Sequence, residues 1–198
     1  MKIVRIIVVA LAALTLAACT RDRLVPLPPG IHKRTSAGPI TYYLDRRASE
    51  TLELGVREAF QLWTDATKFK FSYGGKVKAR IAHDGRNEVL LLAKWPNELP
   101  IRAAAWTEAY LDAAGNIVEA DILLNAQAYT FTTRREGRPG ALYIEDVLSR
   151  EIGRTLGLGA GIGEDSGAGA RAAAPGDGFE PGIDPAEMAA YLSLYAAE

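Results

Sequence analysis

Glu151 and Gly157 stand six residues apart in the run Arg150-Glu151-Ile152-Gly153-Arg154-Thr155-Leu156-Gly157-Leu158-Gly159-Ala160. This is the spacing that the zinc-binding pattern H-E-x-x-H-x-x-G-x-x-H gives its glutamate and its glycine. In that pattern two imidazoles four apart share one helix face, the glycine turns the chain, and a third imidazole completes the metal site. The metal brings the pKa of its bound water near neutrality, and the glutamate takes the proton. Here the three imidazole positions hold Arg150, Arg154 and Ala160. A guanidinium stays protonated and has no lone pair to give, and alanine offers nothing. Two guanidinium groups would also repel a dication. Glu151 keeps the general-base position, but without a Lewis acid its water attacks an amide far too slowly, so no metal and no hydrolysis are expected at these residues.

Nor does the rest of the chain offer a substitute ligand set. His32 and His83 lie far upstream with no partner at ligand spacing. Glu164 or Asp165 can supply one carboxylate, and one carboxylate is not a site. At i and i+4, Arg150 and Arg154 share a helix face, where like charges destabilise unless they are paired. Asp146, one turn earlier, is placed to pair with Arg150, and Glu151, Glu164 or Asp165 to neutralise the remainder. The two arginines then form either a solvated, salt-bridged surface or the floor of an anion pocket, since guanidinium forks suit carboxylate or phosphate.

The elements that must position these residues follow from periodicity. Ser49 is an N-cap candidate for a helix running to about Asp65, with Leu52, Val56, Ala59, Phe60 and Trp63 at helical spacing. Phe69, Phe71 and Tyr73 alternate as in a strand, as do Val77, Ala79 and Ile81, and Val89-Leu90-Leu91-Leu92 reads as a buried strand. Residues 104–112 and 117–125 flank the turn-like Ala113-Ala114-Gly115-Asn116 and are expected to form an antiparallel hairpin. In its second arm Val118, Ala120, Ile122 and Leu124 share a packed face, leaving Glu119 and Asp121 on a wet one. After a polar loop at 134–140, Ile144, Val147, Leu148, Ile152, Thr155 and Leu156 mark the stripe of the helix that carries Glu151, which Gly157 ends. Residues 159–178, dominated by Gly and Ala, are expected to be mobile. A last helix is capped by Asp184, with Pro185 at its first position, Glu187 completing a capping box, and Met188, Leu192 and Tyr195 inside.

The chain has 198 residues, 48% of them hydrophobic, and a net charge of −1, which suits one globular domain after a targeting segment and gives no footprint for nucleic acid. Lys2 and Arg5 precede an apolar run from Ile6 to Leu16, short for a membrane span but right for a signal peptide at 1–18. Leu16-Ala17-Ala18-Cys19 resembles a bacterial lipobox. That resemblance implies a diacylglyceryl anchor on Cys19, which is the one cysteine of the chain, so the membrane itself is an expected partner. Residues 19–38, rich in proline and basic side chains, read as a spacer, and the domain is expected over 39–198.

Beyond the helix, the chain resembles the matrixin-like metzincins, a family of zinc metallopeptidases. Pro39-Ile40-Thr41-Tyr42-Tyr43-Leu44 is similar to their first strand, and Ala59-Phe60-Gln61-Leu62-Trp63 to part of their first long helix. Ala120-Asp121-Ile122-Leu123-Leu124-Asn125 is similar to the strand before the zinc helix, Tyr129-Thr130-Phe131-Thr132 to the segment after that strand, and Glu145 to Gly153 to the zinc helix with its first histidine exchanged. The family's turn beneath the zinc contains a methionine, which Ala172-Ala173-Ala174-Pro175 lacks. The resemblance implies an α+β domain with a twisted mixed sheet, a long backing helix, the former zinc-site helix and a short C-terminal helix. It implies zinc as the family's cofactor, expected to be absent here. The leading expectation is a membrane-tethered pseudopeptidase in the bacterial envelope that binds an extended peptide along the edge of the 104–125 hairpin. The alternatives are an active zinc endopeptidase with other ligands and a structural envelope lipoprotein.

Overall fold

The structure, a computed structural model, describes residues 32–159 and 182–195. The expected signal segment, Cys19, Ala160, Glu164, Asp165, Ala172 to Pro175 and all but the first residue of the 159–178 stretch lie outside the described residues. Those that are described form an α+β fold. Strands β1 (Ile40–Asp45), β2 (Phe71–Val77), β3 (Asn87–Leu92), β4 (Ala105–Leu111) and β5 (Ile117–Asn125) make one mixed sheet in the order β2-β1-β3-β5-β4. Its pairings are parallel except for the antiparallel β4–β5 hairpin. Two short strands, β6 (Phe131–Thr132) and β7 (Leu142–Tyr143), pair beside it. Helices α1 (Glu50–Ala66), α2 (Ile144–Thr155) and α3 (Pro185–Tyr195) complete the described elements.

One face of the sheet packs on the helices. Ser49 caps α1 by accepting the Leu52 N–H at 3.1 Å, and Glu50 and Glu53 in its first turn favour the positive end of the helix dipole. Phe60 of α1 stacks on Tyr42 of β1 with ring centroids 3.7 Å apart, and the fully buried Trp63 donates its indole N–H to the Ser149 carbonyl of α2 at 2.8 Å. Val56, Leu44, Ile122, Leu124, Leu148 and Ile152 fill the space between. The periodicity expected for α1 is present, and in the hairpin Ala120, Ile122 and Leu124 are buried as expected, whereas Val118, near the turn and beyond the helices, is 41% exposed. Asp112 holds the hairpin turn by accepting the Ala114 and Asn116 N–H groups, each at 2.9 Å.

The opposite face, which we call the outer face, is not the wet surface expected from Glu119 and Asp121. Both are buried, 2% and 0% exposed. The β2 pattern does not continue through Ala79 and Ile81 either: the strand ends at Val77, and residues 78–86 fold back over the sheet as a loop. The buried acids are what hold that loop. Glu119 accepts the N–H groups of Asp84 at 3.0 Å and Gly85 at 2.5 Å, Asp121 those of Glu88 at 3.0 Å and Ala82 at 3.4 Å, and Glu88 that of Arg80 at 2.7 Å. Alternation in β5 therefore reports which face a residue is on, and a covering loop decides whether that face meets water.

Two further expectations shift. Within the 19–38 stretch read as a spacer, the last residues dock. Ile117 donates to the Lys33 carbonyl at 2.8 Å, Thr35 to that of Ile117 at 3.3 Å, and Arg34 is buried. In α3 the inner positions are Met188, Tyr191 and Tyr195, while Leu192 is 53% exposed. Tyr195 packs on Phe69 and Tyr191, so aromatic contact with the connection between α1 and β2 sets the rotation of the helix.

Burial, reinforced by the charges of Glu119 and Glu88, pushes the Asp121 carboxyl from 3.8 up to about 8. The folded chain thus holds a proton that the unfolded chain releases. The stability this contributes is full below pH 3.8 and is lost as pH rises toward about 8. Asp121→Asn removes that dependence, so the difference in urea midpoint between native chain and variant should change across this window. A pH-independent difference would show that Asp121 is not the titrating group.

Candidate functional site

α2 lies between α1 and the β4–β5 hairpin, so the residues sharing its sheet-facing side are set by packing on both. Its first turn carries Glu145 and Asp146, favourable at a helix N-terminus. Asp146 does not pair with Arg150 as its spacing suggests. Its carboxylate takes the Arg134 guanidinium at 2.5 Å, while Glu145 accepts the Arg134 N–H at 3.1 Å. The polar loop before the helix supplies a better placed cation than the next turn does.

The far end is closed by the expected glycine. Gly157 has φ +88°, its N–H bonds the Arg154 carbonyl at 2.9 Å, and Leu158 N–H bonds the Gly153 carbonyl at 3.0 Å. This pair of bonds is a Schellman closure. A Cβ at position 157 would lie 1.8 Å from the His32 carbonyl oxygen, so only glycine fits.

Between these ends sits Glu151, 5% exposed. One carboxylate oxygen accepts the Arg154 guanidinium at 2.7 Å, and the other lies 2.7 Å from the hydroxyl of Thr107 on β4. Glu151 is thus bound to Arg154, which stands where the zinc-binding pattern would place its second histidine. Thr107 is a participant that the sequence reading missed. Its signal was the sequence Ala105-Trp106-Thr107-Glu108-Ala109: small residues at the helix-facing positions let α2 approach, and the hydroxyl between them meets whatever the helix presents.

Arg150 is half-buried and forms no ion pair or hydrogen bond among the described residues. Its charge nonetheless reaches Glu187 of α3, as does that of Arg154. Glu187 completes the expected capping box, its carboxylate accepting the Asp184 N–H while Asp184 accepts that of Ala186 at 2.7 Å. Burial pushes the Glu187 carboxyl up to about 7 against the opposing pull of the two arginines. The cluster therefore combines Arg150, the Arg154–Glu151 pair and Glu187, with Asp184 beside it.

These residues do not fit zinc. Two of the three ligand positions carry guanidinium groups, one of them bonded to the glutamate that would serve the metal-bound water. His32 Nδ1 is 2.9 Å from the Gly115 carbonyl, and the His83 ring stacks on Tyr110 with its Nε2 3.8 Å from Glu119. Among the described residues no group of three or more His, Cys, Asp or Glu side chains is arranged to hold a metal. No helix among them is long and apolar enough to cross a membrane. Compared with known proteins, the chain matches no family model and no curated protein.

If Glu151 serves as a structural link between α2 and β4, Glu151→Ala removes the acceptor of the partly exposed Arg154 guanidinium and one of the two acceptors of the Thr107 hydroxyl, which keeps the Glu151 carbonyl at 3.1 Å, and should cost about 1 to 2 kcal/mol. Glu151→Gln keeps one acceptor and should cost less. Equal urea midpoints for native chain and Glu151→Ala would remove the structural role.

Proposed function

We propose that the chain is a membrane-tethered, non-catalytic module of metzincin-like fold that binds an extended peptide without cutting it. The observation that carries this reading is β4. It is the last strand of the sheet, it runs antiparallel to its neighbour, and it lies directly against the helix that bears Arg150 and Arg154. A terminal strand offers a row of main-chain donors and acceptors that another chain can pair with, and such pairing requires no metal. The mixed sheet backed by a long helix and closed by a glycine-ended one is compatible with the metzincin resemblance. Glu151, engaged by Arg154 and Thr107, supports binding over hydrolysis. The tether in this reading is an acylated Cys19, which places the domain outside the cytoplasm in a bacterial envelope.

Charge selects the peptide. Arg154 is already matched by Glu151, so Arg150 supplies most of the attraction for an acidic side chain or a chain terminus. Calorimetry with an acidic and a neutral extended peptide should show Arg150→Gln weakening the acidic one about tenfold, Arg154→Gln less, and neither variant changing the neutral one. Absence of peptide binding altogether would leave the structural-lipoprotein reading in its place.

Two checks bear on the rest of the proposal. The purified chain should contain no stoichiometric zinc and should not cleave unfolded protein; one tightly held equivalent with chelator-sensitive proteolysis would restore the enzyme reading. Fatty-acid labelling in a bacterial host should disappear in Cys19→Ala, with release from the membrane fraction. Undiminished labelling would place the anchor elsewhere.

A further inference from the structure

On the outer face, away from α2, the 78–86 loop and the adjoining strands enclose an open pocket of about 450 Å3 lined by Lys78, Ala79, Arg80, Asp84, Arg86 and Glu88. Three cations and two acids line it, and the acids are unequal to the cations. Asp84 is committed to Arg80, at 3.0 and 3.2 Å. Glu88 is 2% exposed, spends an oxygen on the Arg80 N–H, and is pushed upward in pKa by its burial. Lys78 and Arg86 are exposed and form no ion pair among the described residues. Neither is engaged by an acid of the pocket at ion-pair distance.

The arrangement is built rather than incidental. The Arg86 guanidinium lies over the Tyr43 ring, 5.5 Å from its centroid. Tyr43 in turn rests on Gly74: a Cβ there would come within 2.4 Å of the ring and 2.9 Å of the Thr41 methyl. Glycine weakens a strand interior and commonly marks a bulge or a close approach. Here both apply, because the β1–β2 register shifts between Tyr42 and Leu44 beside it. The loop above is fixed from below by Glu88, Glu119 and Asp121 through its own N–H groups. The wall, the Arg86 guanidinium over Tyr43 and the Arg80 guanidinium on Asp84 are therefore in place before any ligand arrives, which lowers the ordering cost of binding.

We propose that this pocket binds a phosphate group, held by Lys78 and Arg86 with Arg80 alongside. A phosphate group carries at least one negative charge, and its oxygens suit a guanidinium fork beside a point-charge ammonium, the two cations here that no acid engages at ion-pair distance. The site lies on the sheet face opposite α1 and α2, so it stands or falls independently of peptide binding at β4.

The test uses the full chain carrying Cys19→Ala, with inorganic phosphate as one probe and vesicles containing phosphatidylglycerol, against vesicles of phosphatidylcholine alone, as the other. Lys78→Gln with Arg86→Gln should weaken phosphate binding by about tenfold or more. Arg86→Lys should recover part of the loss. Binding of free phosphate that depends on the pair supports a soluble ligand. Pair-dependent binding of the anionic vesicles without binding of free phosphate supports a lipid headgroup. If the double variant, with unchanged circular dichroism and urea midpoint, behaves like the parent toward both probes, the proposal is overturned.

Discussion

The last turn of an α-helix leaves carbonyls with no partner in the helix, and in α2 that turn is buried. Much of the domain is arranged around satisfying them. Leu158 and Gly157 take the carbonyls of Gly153 and Arg154 through the backbone, Arg34 reaches the Thr155 carbonyl at 3.4 Å, and the Tyr195 hydroxyl donates to that of Leu156 at 2.6 Å. The same hydroxyl accepts the Arg34 N–H at 2.7 Å. Three stretches far apart in sequence, the N-terminal lead, the end of α2 and the end of α3, are thus joined by the requirement that a few oxygens not be buried alone. Arg34 also brings positive charge to the negative end of the helix dipole, although desolvation lowers its own pKa to about 10.

The two faces of the sheet solve burial differently. Toward the helices, aliphatic and aromatic side chains interlock and polar groups are few. Toward the outside, acids are buried and would be costly if left alone, but they become acceptors for a loop that has no strand to pair with. A smaller apolar cluster of Leu90, Trp95, Leu99, Ala103 and Leu123 lies on that same face and gives it a second cover. The helix face fixes the position of α2, Glu151 and Arg154, whereas the outer face fixes a loop and its cations.

Local patterns in the sequence were sufficient for α1, the hairpin, the glycine closure of α2 and the capping of α3, because each is specified by neighbours within a few residues. What could not be read locally was the choice of partner. Asp146 had Arg150 one turn away and took Arg134 instead. The alternation of Glu119 and Asp121 marked a face correctly and its wetness wrongly, because the apolar alternation of Ala79 and Ile81 reads locally as a strand, whereas in the fold these residues pack on the outer-face cluster as part of a covering loop. Position 192 misled by hydrophobicity alone, where the aromatic contacts of Tyr191 and Tyr195 set the rotation of α3. At the site, Arg150, Glu151 and Arg154 were visible from spacing, while Thr107 and the proximity of Glu187 arise from tertiary packing. Which arm of the hairpin is outermost was likewise undetermined by sequence, and the strand order assigns that place to β4.

The docking of the lead gives the domain a mechanical grain. Tension applied toward the N-terminus does not first load a strand of the sheet. It falls on two main-chain hydrogen bonds at Ile117 and on Arg34, whose side chain also bonds Asn87 at 2.6 Å and the Val118 carbonyl. Peeling that segment would strip the Thr155 carbonyl of its donor and take from Tyr195 the N–H it accepts, uncovering the end of α2 while the five-stranded sheet stays paired. Among the described residues, the N-terminal margin is therefore where the end of the helix carrying Glu151 is tied to the sheet.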